Sequence, residues 1–385
     1  MAALMKRYEV AKQHRSSWES HWKECYEYAL PQREVFDQYT EGSKKNTKIY
    51  DSTALIGTQR FASRLQSTLV PPFKKWAKLS AGTGIPDEFA GKIDKQLEQV
   101  TGDDLLKFTA VPLKELLVED GPHGTIETVF RLHSHPARNI KQVWKKGKCS
   151  TAVMEMMETK PDELVPIIEA TVYNPDKKVY EYVIIEENTK HVIFEDYFEV
   201  SPWIVFRWSK VAGERYGRGP IMTALPDIKT ANQVVKFVLK NAEKEIVGVY
   251  TAVDDGVLNP WTVNIKSGAV IPVAAEGSLS PLQSGGNFNV SELILQDLRE
   301  NIKKALFHDQ LGPMEGPTKS ATEVSIRQQE LMSDIGSSFG RLQMEFINKL
   351  IKRAIDILQR NGKVAPIKVG NQEVEIKVIS PLAQQ

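Results

Sequence analysis

"ERYGRGPIMTALPDIKTANQVVKFVLKNAEKE", residues 214–245, sets a glycine-rich turn directly before a long helical pattern. Gly213, Gly217 and Gly219 lie among Lys210, Arg215 and Arg218, and a turn of this kind before a helix often cradles a phosphate. The helix pattern is two-sided. Leu225, Ile228, Ala231, Val235, Val238, Leu239, Ala242 and Ile246 share one face. Lys229, Gln233, Lys236, Lys240 and Lys244 fall on the other, within an arc of roughly 90° at about 100° per residue. The stretch therefore poses a choice between a nucleotide site and a tight entry into a basic helix.

Working outward, helical periodicity breaks after this stretch. Residues 248–286 carry glycines, prolines and short β-type runs. A second amphipathic helix is expected at 289–310, on Val290, Leu293, Ile294, Leu298, Ile302, Ala305 and Leu306. "LGPMEGPTK" (311–319) is a Gly/Pro loop. Ser320 and Glu323 form a capping box for a long helix over 321–361, with Gly336 and Gly340 as candidate kinks and Asn361-Gly362 as its stop. The tail "IKVGNQEVEIKVIS" reads as a hairpin turning at Gly370-Asn371.

On the other side, residues 125–210 read as β-rich. The runs are "TIETVFRLH", "PIIEATVYN", "KVYEYVIIEE", "HVIFEDYFEV" and "WIVFRWSKV", with a turn at "NPDKK". Farther back lie a helix over 1–30 ended by Pro31 and a second helix capped by Asp51 or Ser52 and stopped by Pro71-Pro72.

The bulk composition excludes several function classes. The 385 residues carry a net charge of +1, so any nucleic-acid role has to come from local patches or a shaped cavity. Two cysteines, Cys25 and Cys149, make neither a disulfide framework nor a zinc ribbon. No apolar run is long enough to span a membrane, and the N-terminus turns polar too early for a secretory h-region.

No catalytic motif emerges either. Neither glycine cluster fits a Walker A loop, since "GERYGRGP" lacks the lysine–serine pair and "GPMEGPTKS" has the wrong spacing. His133 and His135 alternate along a strand and read as two surface histidines, without a third metal ligand. Asp254-Asp255 and Asp103-Asp104 read as solvated turns. The expectation is a non-enzyme with no metal and no cofactor.

Four blocks carry a family resemblance: "KIYDSTALIGTQRFASRLQSTLVPPFKKWAKL" (48–79), "GERYGRGPIMTALPDIKTANQ" (213–233), "IKKALFHDQL" (302–311) and "KSATEVSIRQQELMSDIGSSFGRLQMEFINKLI" (319–351). With "FTAVPLKELLVEDGPHGTIETVFR" (108–131) and "SPLAQ" (380–384), the likeness spans nearly the whole chain. The sequence resembles the portal, or head-to-tail connector, proteins of short-tailed, podovirus-type tailed bacteriophages.

The resemblance implies an α+β portal fold. It places a wing over 1–221, stem helix 1 over 222–247, a small α/β clip over 248–286, stem helix 2 over 287–310, a tunnel loop over 311–320, and a long kinked helix with the terminal hairpin over 321–385. It implies a dodecameric ring in the virion, at the vertex between head and tail, assembled in the host cytoplasm. Viral DNA would pass through the ring at packaging and ejection. The implied partners are the major capsid protein, the terminase large subunit, then tail adaptor and tail proteins, with double-stranded DNA held non-specifically and no membrane.

On this reading Tyr216, Gly217, Arg218, Gly219 and Pro220 form the stem-entry turn rather than a phosphate cradle. Lys229, Lys236, Lys240, Lys244 and Lys319 are candidates to face DNA. A solvated helix face, or pairing with Glu292, Asp297 and Glu300 of a neighbouring stem, explains the lysine stripe as well. In two places the chain departs from its relatives. The junction "QVTGDDLLKF" (99–108) is short, leaving open a trimmed wing or residues missing from the numbered chain. The chain stops at Gln385, where relatives continue, so the crown is expected to be truncated or absent. The rival readings are a nucleotide-dependent packaging enzyme, which lacks its required loop, and a non-portal head-tail adaptor ring, which lacks the helix–clip–helix order.

Overall fold

The computed structural model describes residues 1–33, 36, 42–69, 77–80, 108–247, 250–252, 279–281, 288–307, 336, 338–362 and 375–378. Within these the chain is α+β. Its centre is a five-stranded antiparallel meander of β2 (Leu116–Asp120), β3 (Ile126–Pro136), β4 (Leu164–Asn174), β5 (Val179–Glu186) and β6 (Val192–Phe198), paired in chain order.

Alternation along the strands divides the sheet into two buried faces. Phe130, Ile168, Ala170 and Ile185 point to one, where Met5, Tyr8 and Ala11 of helix α1 (Ala2–Ala29) pack on them. Val165, Ile167, Ile184 and Ile193 point to the other. That face is covered by two short helices, α3 (Ala137–Val143) and α4 (Thr151–Thr159), through Ala137, Ile140, Trp144 and Val153. Ser150 caps α4 by accepting from the Val153 amide.

Three sequence expectations change here. The run "WIVFRWSKV" is extended but joins no ladder, apart from one bridge at Ser209. Its Arg207 amide donates instead to Glu345 Oε2 of the C-terminal helical segment, at 2.9 Å. Within the span read as β-rich lie α3 and α4, and β2 lies just before it. His133 and His135 do share one side of β3, but the His133 side chain is buried and His135 is half-buried rather than out in solvent. His133 Nε2 lies 2.6 Å from Glu169 Oε1, and both side chains are buried. Burial alone would raise the Glu169 pKa, yet His133, the Tyr182 hydroxyl and Arg131 outweigh it and hold the carboxyl below its usual range. Among the described residues no group of three or more His, Cys, Asp or Glu could hold a metal ion.

Helix α2 (Thr53–Leu69) begins where Asp51 Oδ1 accepts from the Thr53 amide, so Asp51 supplies the cap. The last described strand, β9 (Glu375–Val378), pairs antiparallel with β1 (Ala77–Ser80). The turn and first arm of the expected hairpin lie outside the described residues, as do the Ser320–Glu323 capping box, the Gly/Pro loop with Lys319, and both acidic pairs. No described helix is long and apolar enough to cross a membrane.

Candidate functional site

The opening stretch folds as a turn leading into helix α5 (Pro220–Val247). Proline suits a first helical position, where its missing N–H is an orphan in any case. The turn is closed by an antiparallel bridge. The Arg218 amide donates to Ser209 O at 2.8 Å and the Ser209 amide to Arg218 O at 3.2 Å. Two glycines are required by geometry. Gly213 has φ +84, a left-handed conformation, and a Cβ on Gly217 would sit 2.7 Å from Arg207 Cβ. A Cβ on Gly219 would meet nothing within 4 Å.

Tyr216 is the anchor of the turn. Its ring lies edge-on to Trp22 at 4.9 Å and 5.9 Å from Trp18, and burial pushes its hydroxyl pKa up to about 12. Arg218 stands over Trp18 at 5.1 Å and grips Glu214 through two bonds of 2.6 and 2.9 Å.

Gly217→Ala is expected to lower stability by about 2 kcal/mol, because the new methyl overlaps a side chain that cannot move aside. Gly219→Ala should stay within ~0.5 kcal/mol of wild type. Urea unfolding of both variants checks the pair, and equal effects would remove the steric account.

Helix α6 (Phe288–Ala305) returns alongside α5. Ala224, Ile228 and Ala231 near the start of α5 meet Leu295, Leu298, Ile302 and Leu306 near the end of α6 and just beyond it. Between the helices, β7 (Tyr250–Ala252) and β8 (Leu279–Pro281) pair antiparallel. The two helices thus form an antiparallel hairpin with a two-stranded base to whatever lies beyond.

Helix α2 and its cap brace this hairpin. Asp51 pairs with Arg299 at 2.8 Å. Burial raises the Asp51 pKa, but Thr53 and Arg299 more than offset it and keep the carboxyl below its usual range. Asn232 Oδ1 accepts from the Tyr50 and Asp51 amides at 2.6 and 3.1 Å, while Nδ2 donates to Lys48 O at 2.9 Å.

The lysine stripe is partly engaged at home. Lys229 Nζ lies 3.1 Å from Glu24 Oε1, and Lys236 Nζ lies 5.5 Å from the Tyr50 ring. Lys240 is exposed, and Lys244 lies in the last turn of the helix. Glu292, Asp297 and Glu300 are exposed on α6. Among the described residues of one chain, no ion pair joins Lys229, Lys236 or Lys240 to any of these three acids.

Apolar side chains are also left uncovered on the hairpin: Phe237 (58% exposed) and Leu239 (54%) on α5, and Leu293 (64%) and Ile294 (48%) on α6. At about 100° per residue, Phe237 and Leu293 lie roughly 150° and 180° from the seam the helices share.

The sequence matches the family described as bacteriophage head to tail connecting protein, over residues 1–103 and 90–385. The chain belongs to this family. The chain also resembles portal proteins along most of their length. A probable portal protein of Bordetella phage BPP-1 is 23% identical, over 99% of this chain and 79% of its own. The portal protein of Salmonella phage epsilon15 is 22% identical over the same shares, 99% and 79%. That of Enterobacteria phage T3 is 20% identical over 91% of this chain and 73% of its own. The family match divides at 90–103, beside the short junction seen in the sequence.

The structure also shows residues that sequence reasoning passed over. Arg207, buried, gathers four elements. It donates to Glu345 Oε1 at 2.5 Å and Oε2 at 3.2 Å, to Gly124 O at 3.0 Å and to Arg215 O at 3.3 Å, and stands 3.6 Å from Asp120 Oδ1. Glu345 sits in a π-helical turn, Gln343–Ile347, which runs into helix α7 (Asn348–Arg360). Gly340 lies just before that turn and Gly336 farther back, and a Cβ at either would meet nothing within 4 Å. The described irregularity of this helical segment is therefore the π turn carrying Glu345. Helix α7 ends at Arg360, with Gly362 at φ +69 as its stop.

Proposed function

We propose that the chain is the portal of a tailed phage, a ring at one capsid vertex through which viral DNA is packaged and ejected. The observation that carries this reading is the family match running from residue 1 to residue 385. The antiparallel hairpin of α5 and α6 supports it, since its outward apolar residues suit contact with neighbouring copies on both sides. Such a ring is built head to tail, each copy presenting two different surfaces to its neighbours. In this reading 1–221 is the wing, 222–247 and 287–310 are the stem, 248–286 is the clip, 311–320 is the tunnel loop, and 321–385 carries the long helix. The ring is a dodecamer that docks the terminase large subunit and later tail proteins, works without catalysis of its own, and holds DNA only loosely. Capsids assembled with and without the chain, then challenged with packaging extract, test the function. Only capsids containing it should fill with DNA, and equal filling without it would overturn the reading.

The lysine stripe acts electrostatically in this ring. Tight multi-lysine binding would resist sliding DNA, so the contacts must be few and weak per subunit. If the stripe pairs with Glu292, Asp297 and Glu300 of the next copy, Lys236→Glu with Lys240→Glu weakens the ring, and reversing one acid partly restores it. If it faces DNA, rings stay intact while DNA retention falls, by an amount that shrinks as salt rises. Each exposed pair is worth only about 0–1 kcal/mol, so repetition around the ring makes either effect measurable. Normal assembly and retention at every salt concentration would reduce the stripe to a solvated face.

A further inference from the structure

The turn before α5 forms something with α1 that a search for a turn-plus-helix motif misses. His14, Trp18 and His21 recur at three- and four-residue helical steps along one side of α1 and face the 213–218 turn across a cavity of about 550 Å³. The size is in the range of small-ligand sites. Its lining is cationic. Glu214 is the one acid there, and both its oxygens are held by Arg218. Arg215 is matched by no carboxylate among the described residues, and its Nη1 is buried without an acceptor. His21 Nε2 is buried and equally without a partner. Both residues line the cavity, and each holds behind it one nitrogen closed off from water without a hydrogen bond, which is costly.

We propose that this cavity binds a phosphate-type oxyanion. The guanidinium of Arg215, paired with no carboxylate among the described residues, suits two-point donation to phosphate oxygens, and the His21 ring stands beside it in the lining. Arg218, fixed on Trp18 and Glu214, forms a rigid wall with little left to give. A seated anion would tie α1 to the turn that launches α5. This inference is independent of the portal reading, because it rests on the cavity alone.

The purified full chain is titrated with inorganic pyrophosphate by calorimetry, at constant ionic strength held with chloride. Saturable binding is expected, weakened at least about tenfold by Arg215→Gln and by His21→Gln, and unchanged by Lys145→Gln at an exposed position outside the cavity lining. Melting in chloride alone checks that the variants fold. Should Arg215→Gln fail, Arg215→Lys keeps the charge, loses the planar fork, and must still weaken binding. A short DNA duplex added to the pyrophosphate complex separates the sources. Displacement that requires Arg215 assigns the site to a nucleic-acid phosphate, and retention assigns it to a free phosphate or phosphate ester. No saturable binding, or binding indifferent to Arg215 and His21, would overturn the proposal.

Discussion

Arg207→Ala destabilises the chain by about 3–5 kcal/mol, the range for stripping one member from a buried ion pair. The size follows from what is left behind. Glu345 loses a two-nitrogen grip, the Arg215 carbonyl loses its side-chain donor, and the Gly124 carbonyl and Asp120 are left with Lys210 alone. Lys349 also interacts with Glu345, but burial already pushes its ammonium pKa down, so it is a reluctant substitute. Arg207→Lys recovers part of the loss at most, because one ammonium cannot reproduce the fork. Glu345→Gln costs less than removing the arginine, since the amide oxygen still accepts. Urea unfolding of the three variants gives the order Ala, then Lys and Gln, then wild type. A shift under about 1 kcal/mol for Arg207→Ala would show that the hub is solvated and unimportant.

Phe237→Glu and Leu293→Glu each prevent ring formation while leaving the monomer folded. Both side chains are exposed in the single chain, at 58% and 64%, so a carboxylate there costs the monomer little. Between copies the same change swaps a buried apolar contact for a desolvated charge, about 3 kcal/mol or more per contact, repeated around the ring. Mass measurement of the assembled species, beside circular dichroism of the monomer, separates the two effects. Rings of normal mass from both variants would mean that these residues face solvent or the channel.

The parts of this fold that were legible are those in which local pattern and tertiary burial agree. Ile228 and Ala231 stand at helical spacing because they pack on α6, and β3 to β6 are rich in β-branched and aromatic residues because both sheet faces are covered. "WIVFRWSKV" failed as a strand for the opposite reason. Its composition suits a sheet, yet its backbone is claimed by Glu345, 138 residues away. His133 and His135 were placed correctly on one side of a strand but wrongly in solvent, because their burial depends on Trp144 and Glu169, which no local pattern reports. The glycine turn was read correctly as the start of a helix. Its cavity was not, because half of the lining comes from α1, some 200 residues earlier in the chain.

In the proposed function, copies of this chain close into a ring around a channel. Electron micrographs of the purified protein test it most directly. End-on views should show closed rings with a central hole, twelve-fold when averaged, and lost together in the Phe237→Glu and Leu293→Glu proteins. Monomers or compact dimers without a hole, at concentrations where the protein is folded and abundant, would contradict it.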